Sequence, residues 1–146
     1  MAASVDITAP GAGETLDVFG AAMVVKADPA QAGFFLAEHI VPPGYMVPPH
    51  VHDTDDEYFW VLDGELTVFG DNGESKAGPG TCINLPHGSR HGFRNDGPTA
   101  IRFLVLCRPG LQAVEMFRHF DRAGRTQTLG PAEIAEIAGQ YGVTLG

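Results

Sequence analysis

An antiparallel all-β domain with a helical tail is the fold class this sequence predicts, and three observations carry the prediction. From residue 19 to about 108, short apolar runs alternate with glycine and proline punctuation, and those runs are rich in β-branched and aromatic residues. Dipeptides suited to tight reversals stand between several of the runs. Beyond Pro109-Gly110 the apolar spacing changes to about one helical turn. Many short strands without intervening helices close into a sandwich or a barrel.

Residues 1–18 carry Pro10, Gly11 and Gly13 with weak periodicity and read as an arm or a loosely attached first strand. The strands that follow are expected in "AAMVVKA", "GFFLAEHIV", "EYFWVLDG", "ELTVFG", "TCINLP", "GFRN" and "AIRFLVLC". Asp63-Gly64 and Asn72-Gly73 tolerate the positive φ angles of tight hairpins. In the tail, Leu111, Val114, Phe117 and Phe120 recur at helical spacing. A second helix starts at Pro131, has Glu133 in its anion-favouring first turn, and closes at Gly142. Its apolar face holds Ile134, Ile137, Ala138 and Tyr141. The expected organisation is therefore an arm over 1–18, the β domain over 19–108, and helices over 109–146 that pack on it. The aromatic stripe of those helices reads as core packing.

The 146 residues suffice for one core without disulfide or metal staples. A net charge of −9 with scattered lysines and arginines excludes the basic stripe that a nucleic-acid partner or an anionic membrane surface requires. The first residues have no cationic segment followed by an apolar run, and no stretch approaches the ~20 apolar residues of a membrane span. Cys82 and Cys107 form no Cys-x-x-Cys pair and read as reduced thiols of a cytoplasmic protein.

Function is concentrated in "PHVHDTDDEYFW". His50 and His52 project to one face of a strand because side chains alternate along it. Glu57 opens the next run and returns towards them through "DTDD". His91 follows Pro86 and Gly88, which can turn the chain sharply. Three neutral imidazoles and one carboxylate suit a divalent cation and leave room for water, dioxygen or substrate. His39, His87 and His119 read as structural or surface residues. Asp53, Asp55 and Asp56 read as a solvated loop.

Two segments extend that set into a recognisable pattern. The first is Gly44, five residues, His50-x-His52, four residues, Glu57, six residues, Gly64. The second is Gly80, five residues, Pro86-x-Gly88, two residues, His91, three residues, Asn95. Both resemble the conserved motifs of the cupin superfamily. The resemblance implies a small antiparallel jelly-roll barrel, often a homodimer, with one divalent transition metal held by His50, His52, Glu57 and His91. Iron, manganese, nickel and cobalt all suit this set, and zinc can enter recombinant material. Gly44, Gly64, Gly80, Pro86, Gly88 and Asn95 would serve as turns and barrel corners.

Strand parity places Phe59 and Val61 on the face of Glu57, so the wall beside the metal should be apolar. Tyr45, Met46 and Phe93 lie near the same rims and complete the expected substrate-binding set. Arg90 and Arg94 point away from His91, which disfavours a phosphate clamp. "VPPGYMVPPHVH", "DDEYFWVLDGELTV" and "FLVLCRPG" resemble small bacterial cupins of the quercetin 2,3-dioxygenase type. That resemblance implies a dioxygenase acting on a small hydrophobic enol or phenol and cleaving a ring or C–C bond, with dioxygen as second substrate and Glu57 as catalytic base. Two alternatives use the same residues: an oxygen-independent lyase, isomerase or cyclase, and a small-molecule-binding barrel without turnover.

Overall fold

The computed structural model describes residues 2–146, and its strands face one another in two antiparallel sheets. In chain order the elements are β1 (Glu14–Val18), β2 (Ala21–Ala27), α1 (Pro29–Ala32), β3 (Phe35–Val41), β4 (Met46–His52), β5 (Asp56–Asp63) and β6 (Leu66–Gly70). There follow β7 (Gly73–Ala77), β8 (Cys82–Leu85), β9 (Arg90–Arg94), β10 (Ile101–Arg108), α2 (Leu111–Gly124), α3 (Pro131–Gly139) and β11 (Val143–Leu145). The six-stranded sheet runs β1-β2-β3-β10-β5-β8, and the five-stranded sheet runs β11-β4-β9-β6-β7. This is the all-β jelly roll with a C-terminal helical tail that the sequence predicts.

Alternation along the strands builds the interior. In β3, Phe35, Ala37, His39 and Val41 face inward; across β10 they meet Cys107, Val105, Phe103 and Ile101. Glu57, Phe59 and Val61 of β5 continue the same inward rows. Phe35, Phe103 and Val61 are fully buried, and each contributes about 1.5–3 kcal/mol of hydrophobic stabilisation.

One expected hairpin is a different object. β5 lies in the six-stranded sheet and β6 in the other, so Asp63-Gly64 carries the chain between sheets and joins no hydrogen-bonded pair. Gly64 has φ +87°, and an added Cβ would lie 2.8 Å from Ile101 Cγ1, which leaves room for glycine alone. The Asn72-Gly73 reversal is a true hairpin between β6 and β7. Between β4 and β9 the register shifts across Val47 to His50, where Pro48 and Pro49 cannot donate to the ladder.

Both ends of the chain add strands. Residues 14–18 of the expected arm form β1, register-paired with β2, with Leu16 and Val18 buried. The tail holds more than helices: β11 pairs with β4, placing Val143 opposite His52 and Leu145 opposite His50. In α2 the buried face is Ala113, Val114, Met116 and Phe120, whereas Leu111 is 55% exposed at the first turn.

Candidate metal centre and its cavity

β4, β5 and β9 bring together His50, His52, Glu57 and His91, all buried, with one donor atom from each lying within 4.8 Å of the others. His50 and His52 stand one residue apart on an inward face, and β4/β9 pairing sets His91 directly opposite His50. Glu57 arrives from the other sheet. Its Oε1 lies 3.3 Å from His91 Nε2 and 3.9 Å from His52 Nε2. The β4 strand is held on both flanks, by β9 and by β11, so the ligand pair sits on a rigid, doubly bonded strand.

The tautomer of His50 follows from its outer partner. His50 Nδ1 lies 2.9 Å from the Pro48 carbonyl and His91 Nδ1 lies 3.3 Å from that of Ser89. A carbonyl only accepts, so His50 Nδ1 carries the proton and its Nε2 turns a lone pair to the site, whereas His91 has an acceptor 3.3 Å from each ring nitrogen, the Ser89 carbonyl and Glu57 Oε1. Cys107 Sγ donates to the second Glu57 oxygen, Oε2, at 3.4 Å.

Burial and the neighbouring His91 push His50 down to about 4, which favours the neutral, ligating imidazole. Burial alone would raise Glu57, but His52 and His91 outweigh it and hold the carboxyl at about 2. Burial and the Glu57 charge push the Cys107 thiol well up, so it stays a proton donor. Among the described residues, His52 Nε2 is the one fully buried side-chain polar atom without a hydrogen-bond partner. An orphaned imidazole nitrogen aimed at a carboxylate and two further nitrogen donors fits a divalent metal, because coordination would satisfy it.

His50, His52 and Glu57 of this centre form a polar corner of a cavity of about 440 Å³, with His91 behind them outside its lining. Phe59, Tyr45, Met46 and Phe93 of the expected substrate-binding set line it. Met46 is 57% exposed at the mouth. Val61 does not reach the cavity; it is fully buried in the core beside Phe103, one inward row beyond Phe59.

Several wall residues read as core packing in the sequence. Met116, Phe117 and Phe120 of α2 and Ile134 and Ala138 of α3 line the cavity, so the tail's apolar stripe forms wall as well as core. His39 also lines it, buried to 3% exposure. Asp55 is no loop-surface acid: buried, it accepts from the Gly110 and Ala113 amides at 2.9 and 3.2 Å. It thereby fastens the loop between His52 and Glu57 to the start of α2. His87 bonds Asp56 near the surface, and His119 bonds the Tyr141 hydroxyl. Arg90 and Arg94 turn outward to Asp71 and to Glu74 and Asp96.

Comparison with known proteins agrees with this architecture. Residues 37–107, which contain all four donors, match the family model described as "Cupin domain". That match, over just under half of the chain, and the jelly roll together support a cupin barrel over these residues. The chain resembles a sugar phosphate isomerase of the cupin superfamily from Silicibacter pomeroyi, at 28% identity and TM-score 0.56, over 61% of this chain and 59% of that one. The polyketide cyclase RemF from Streptomyces resistomycificus shares the fold, with TM-score 0.63 and 24% identity over 73% of this chain and 80% of that one. The endoribonuclease YbeY from Myxococcus xanthus is 30% identical over 100 residues, 68% of this chain and 32% of that protein. This chain thus spans about a third of the length of that curated relative.

Proposed function

We propose that the protein is a metal-dependent enzyme acting on a small, mainly hydrophobic enol or phenol, and that it is a dioxygenase cleaving a ring or C–C bond. One observation carries the reading: a buried three-histidine, one-carboxylate cluster presents His50, His52 and Glu57 to a mainly apolar cavity. His50, His52, Glu57 and His91 would hold iron, manganese, nickel or cobalt, which when bound would acidify a ligated hydroxyl and bring the reactants together. Phe59, Phe93 and Tyr45 pack against the apolar body of the substrate, and α2 and α3 keep water from that side. Glu57 takes the hydroxyl proton on Oε1, while the Cys107 thiol on Oε2 keeps the carboxylate oriented.

A second reading, an oxygen-independent isomerase, lyase or cyclase, is favoured by the likeness to the Silicibacter pomeroyi sugar phosphate isomerase. It needs the same donors and the same base. A phosphate group finds no lysine or arginine among the cavity-lining residues, so within this reading a neutral apolar substrate fits better. The nuclease name belongs to a much longer protein, and a charge of −9 opposes a polyanionic substrate.

The same proposal takes the protein as a cytoplasmic homodimer. Its support is the half-exposed Tyr58 and Trp60 on the outer face of β5 and the two unbridged cysteines. No helix among the described residues is long and apolar enough to cross a membrane.

Oxygen uptake by metal-reconstituted protein across flavonols, enols and diketones tests the dioxygenase, with His50→Ala as control. Uptake that tracks metal content and vanishes in the control is expected. Full-rate turnover without oxygen would transfer the assignment to the second reading.

A further inference from the structure

Two ends of the cavity differ in what they can recognise. Five polar side chains line it: His39, Tyr45, His50, His52 and Glu57. The last three form the metal corner. The Tyr45 hydroxyl is already bonded to the Val18 carbonyl at 2.8 Å. That leaves His39. Its Nδ1 lies 2.9 Å from the Ala22 carbonyl, so Nδ1 carries the proton and Nε2 carries a lone pair. Nε2 has no hydrogen-bond partner among the described residues and, unlike His52 Nε2, is not fully enclosed by protein, in keeping with a place on the cavity wall.

The ring is fixed in that pose. Tyr45, Phe93 and Phe103 meet it edge-on, with centroids 5.9, 6.3 and 5.4 Å away. Burial, the main cause, holds the imidazole down at about 4, so it stands neutral as an acceptor at ordinary pH. An acceptor facing an apolar cavity without a protein donor is matched by a donor on a ligand.

Register sets its offset along the strands from Glu57 of the metal corner. His39 pairs with Phe103 and Phe103 with Val61, whereas Glu57 lies four residues before Val61 on β5. At about 3.3 Å per residue, the backbone offset is about 13 Å along the strands. A body of two or three fused or linked rings spans such a gap.

We propose that His39 is a specificity-determining residue whose Nε2 accepts a hydrogen bond from a hydroxyl at the end of the ligand remote from the metal corner. The site then selects an elongated apolar molecule with a metal-ligating oxygen at one end and a hydroxyl at the other. This rests on the cavity being the binding site for an apolar, oxygen-ligating molecule, as read under the proposed function.

Calorimetric titration of cobalt-loaded protein without oxygen tests it, with three probes of nearly equal size: 3-hydroxyflavone, 3,4′-dihydroxyflavone and 3-hydroxy-4′-methoxyflavone. The dihydroxy compound should bind about tenfold more tightly than the other two, the worth of one buried hydrogen bond. In His39→Phe, with cobalt content unchanged, all three should fall within about threefold of one another; His39→Leu serves if the larger ring prevents folding. Equal binding of all three by the wild-type protein overturns the assignment without any variant. So does a preference that survives His39→Phe. Either result leaves the proposed function standing, because the metal-end contact is common to all three probes. Binding of none of them, by wild-type protein and His50→Ala alike, would remove the underlying reading and this one with it.

Discussion

At one end of the cavity three histidines converge on a carboxylate; at the other a single histidine is ringed by aromatic side chains. The residue type is the same and the burial is similar, yet the two surroundings ask opposite things of it. His52 Nε2 is orphaned beside Glu57 and two further imidazoles, an arrangement that gains from a cation. His39 has one nitrogen bonded to Ala22 and three rings around it, an arrangement that excludes a cation and admits a neutral donor. A buried histidine is therefore defined by its neighbours: a carboxylate and more nitrogen donors make a ligand, and aromatic rings make a neutral acceptor.

The largest effect should come from breaking the metal end. His52→Ala removes one of the four donors themselves, so affinity for cobalt or iron should fall well beyond the ~10–100-fold that a residue hydrogen-bonded to a donor is worth. Elemental analysis after dialysis should then find less than about a tenth of an equivalent, and turnover should disappear. His39→Phe in parallel should keep its metal. Comparable metal loss in both variants would erase the distinction between the ends.

A next, smaller effect is a pH dependence of stability belonging to the aromatic end. Burial lowers His39 from 6.5 to about 4 in the folded protein, so between those values the unfolded chain binds a proton that the folded chain refuses. Stability from this group is complete above about pH 6.5 and is lost as pH falls towards 4. The shift corresponds to about 3 kcal/mol at most. Urea denaturation of metal-free protein at steps between pH 7 and 4.5 should show the loss, and His39→Phe should flatten the slope by one group's share. An unchanged slope in the variant would show that His39 is not held neutral.

The four-donor cluster was legible in the sequence and the aromatic end of the cavity was not. His50, His52, Glu57 and His91 sit in two short motifs, and strand parity alone aims the first pair inward. Their glycine spacers are readable too, because Gly64 is demanded by a positive φ and by the closeness of Ile101. The opposite wall comes from residues that pack like any core. Met116, Phe117 and Phe120 have the spacing of an ordinary amphipathic helix, and only tertiary placement turns them towards a cavity. Val61 shows the reverse: parity put it on the right face, but depth along the barrel put it beyond the cavity. β11 was missed because three residues are too few to alternate, and its pairing partner lies about ninety positions earlier.

Asp55 decides how far the two ends are independent, and here the expected effect is smallest. Its sequence context, between Thr54 and Asp56, reads as one more solvated acid, yet it is buried and receives two amide hydrogen bonds at the start of α2. It joins the loop that spaces His52 from Glu57 to the helix that supplies Met116, Phe117 and Phe120. Asp55→Ala leaves the Gly110 and Ala113 amides without their acceptor and should cost about 2 kcal/mol of stability, in line with loss of a helix cap and a charged hydrogen bond. β9 and β11 still grip His50 and His52 from either side, so cobalt affinity should change by less than about threefold. Chemical denaturation and a competitive metal titration on the same sample measure both quantities. A large affinity loss at modest stability cost would mean that the tail positions the donors through Asp55, and the two ends would then be one mechanical unit.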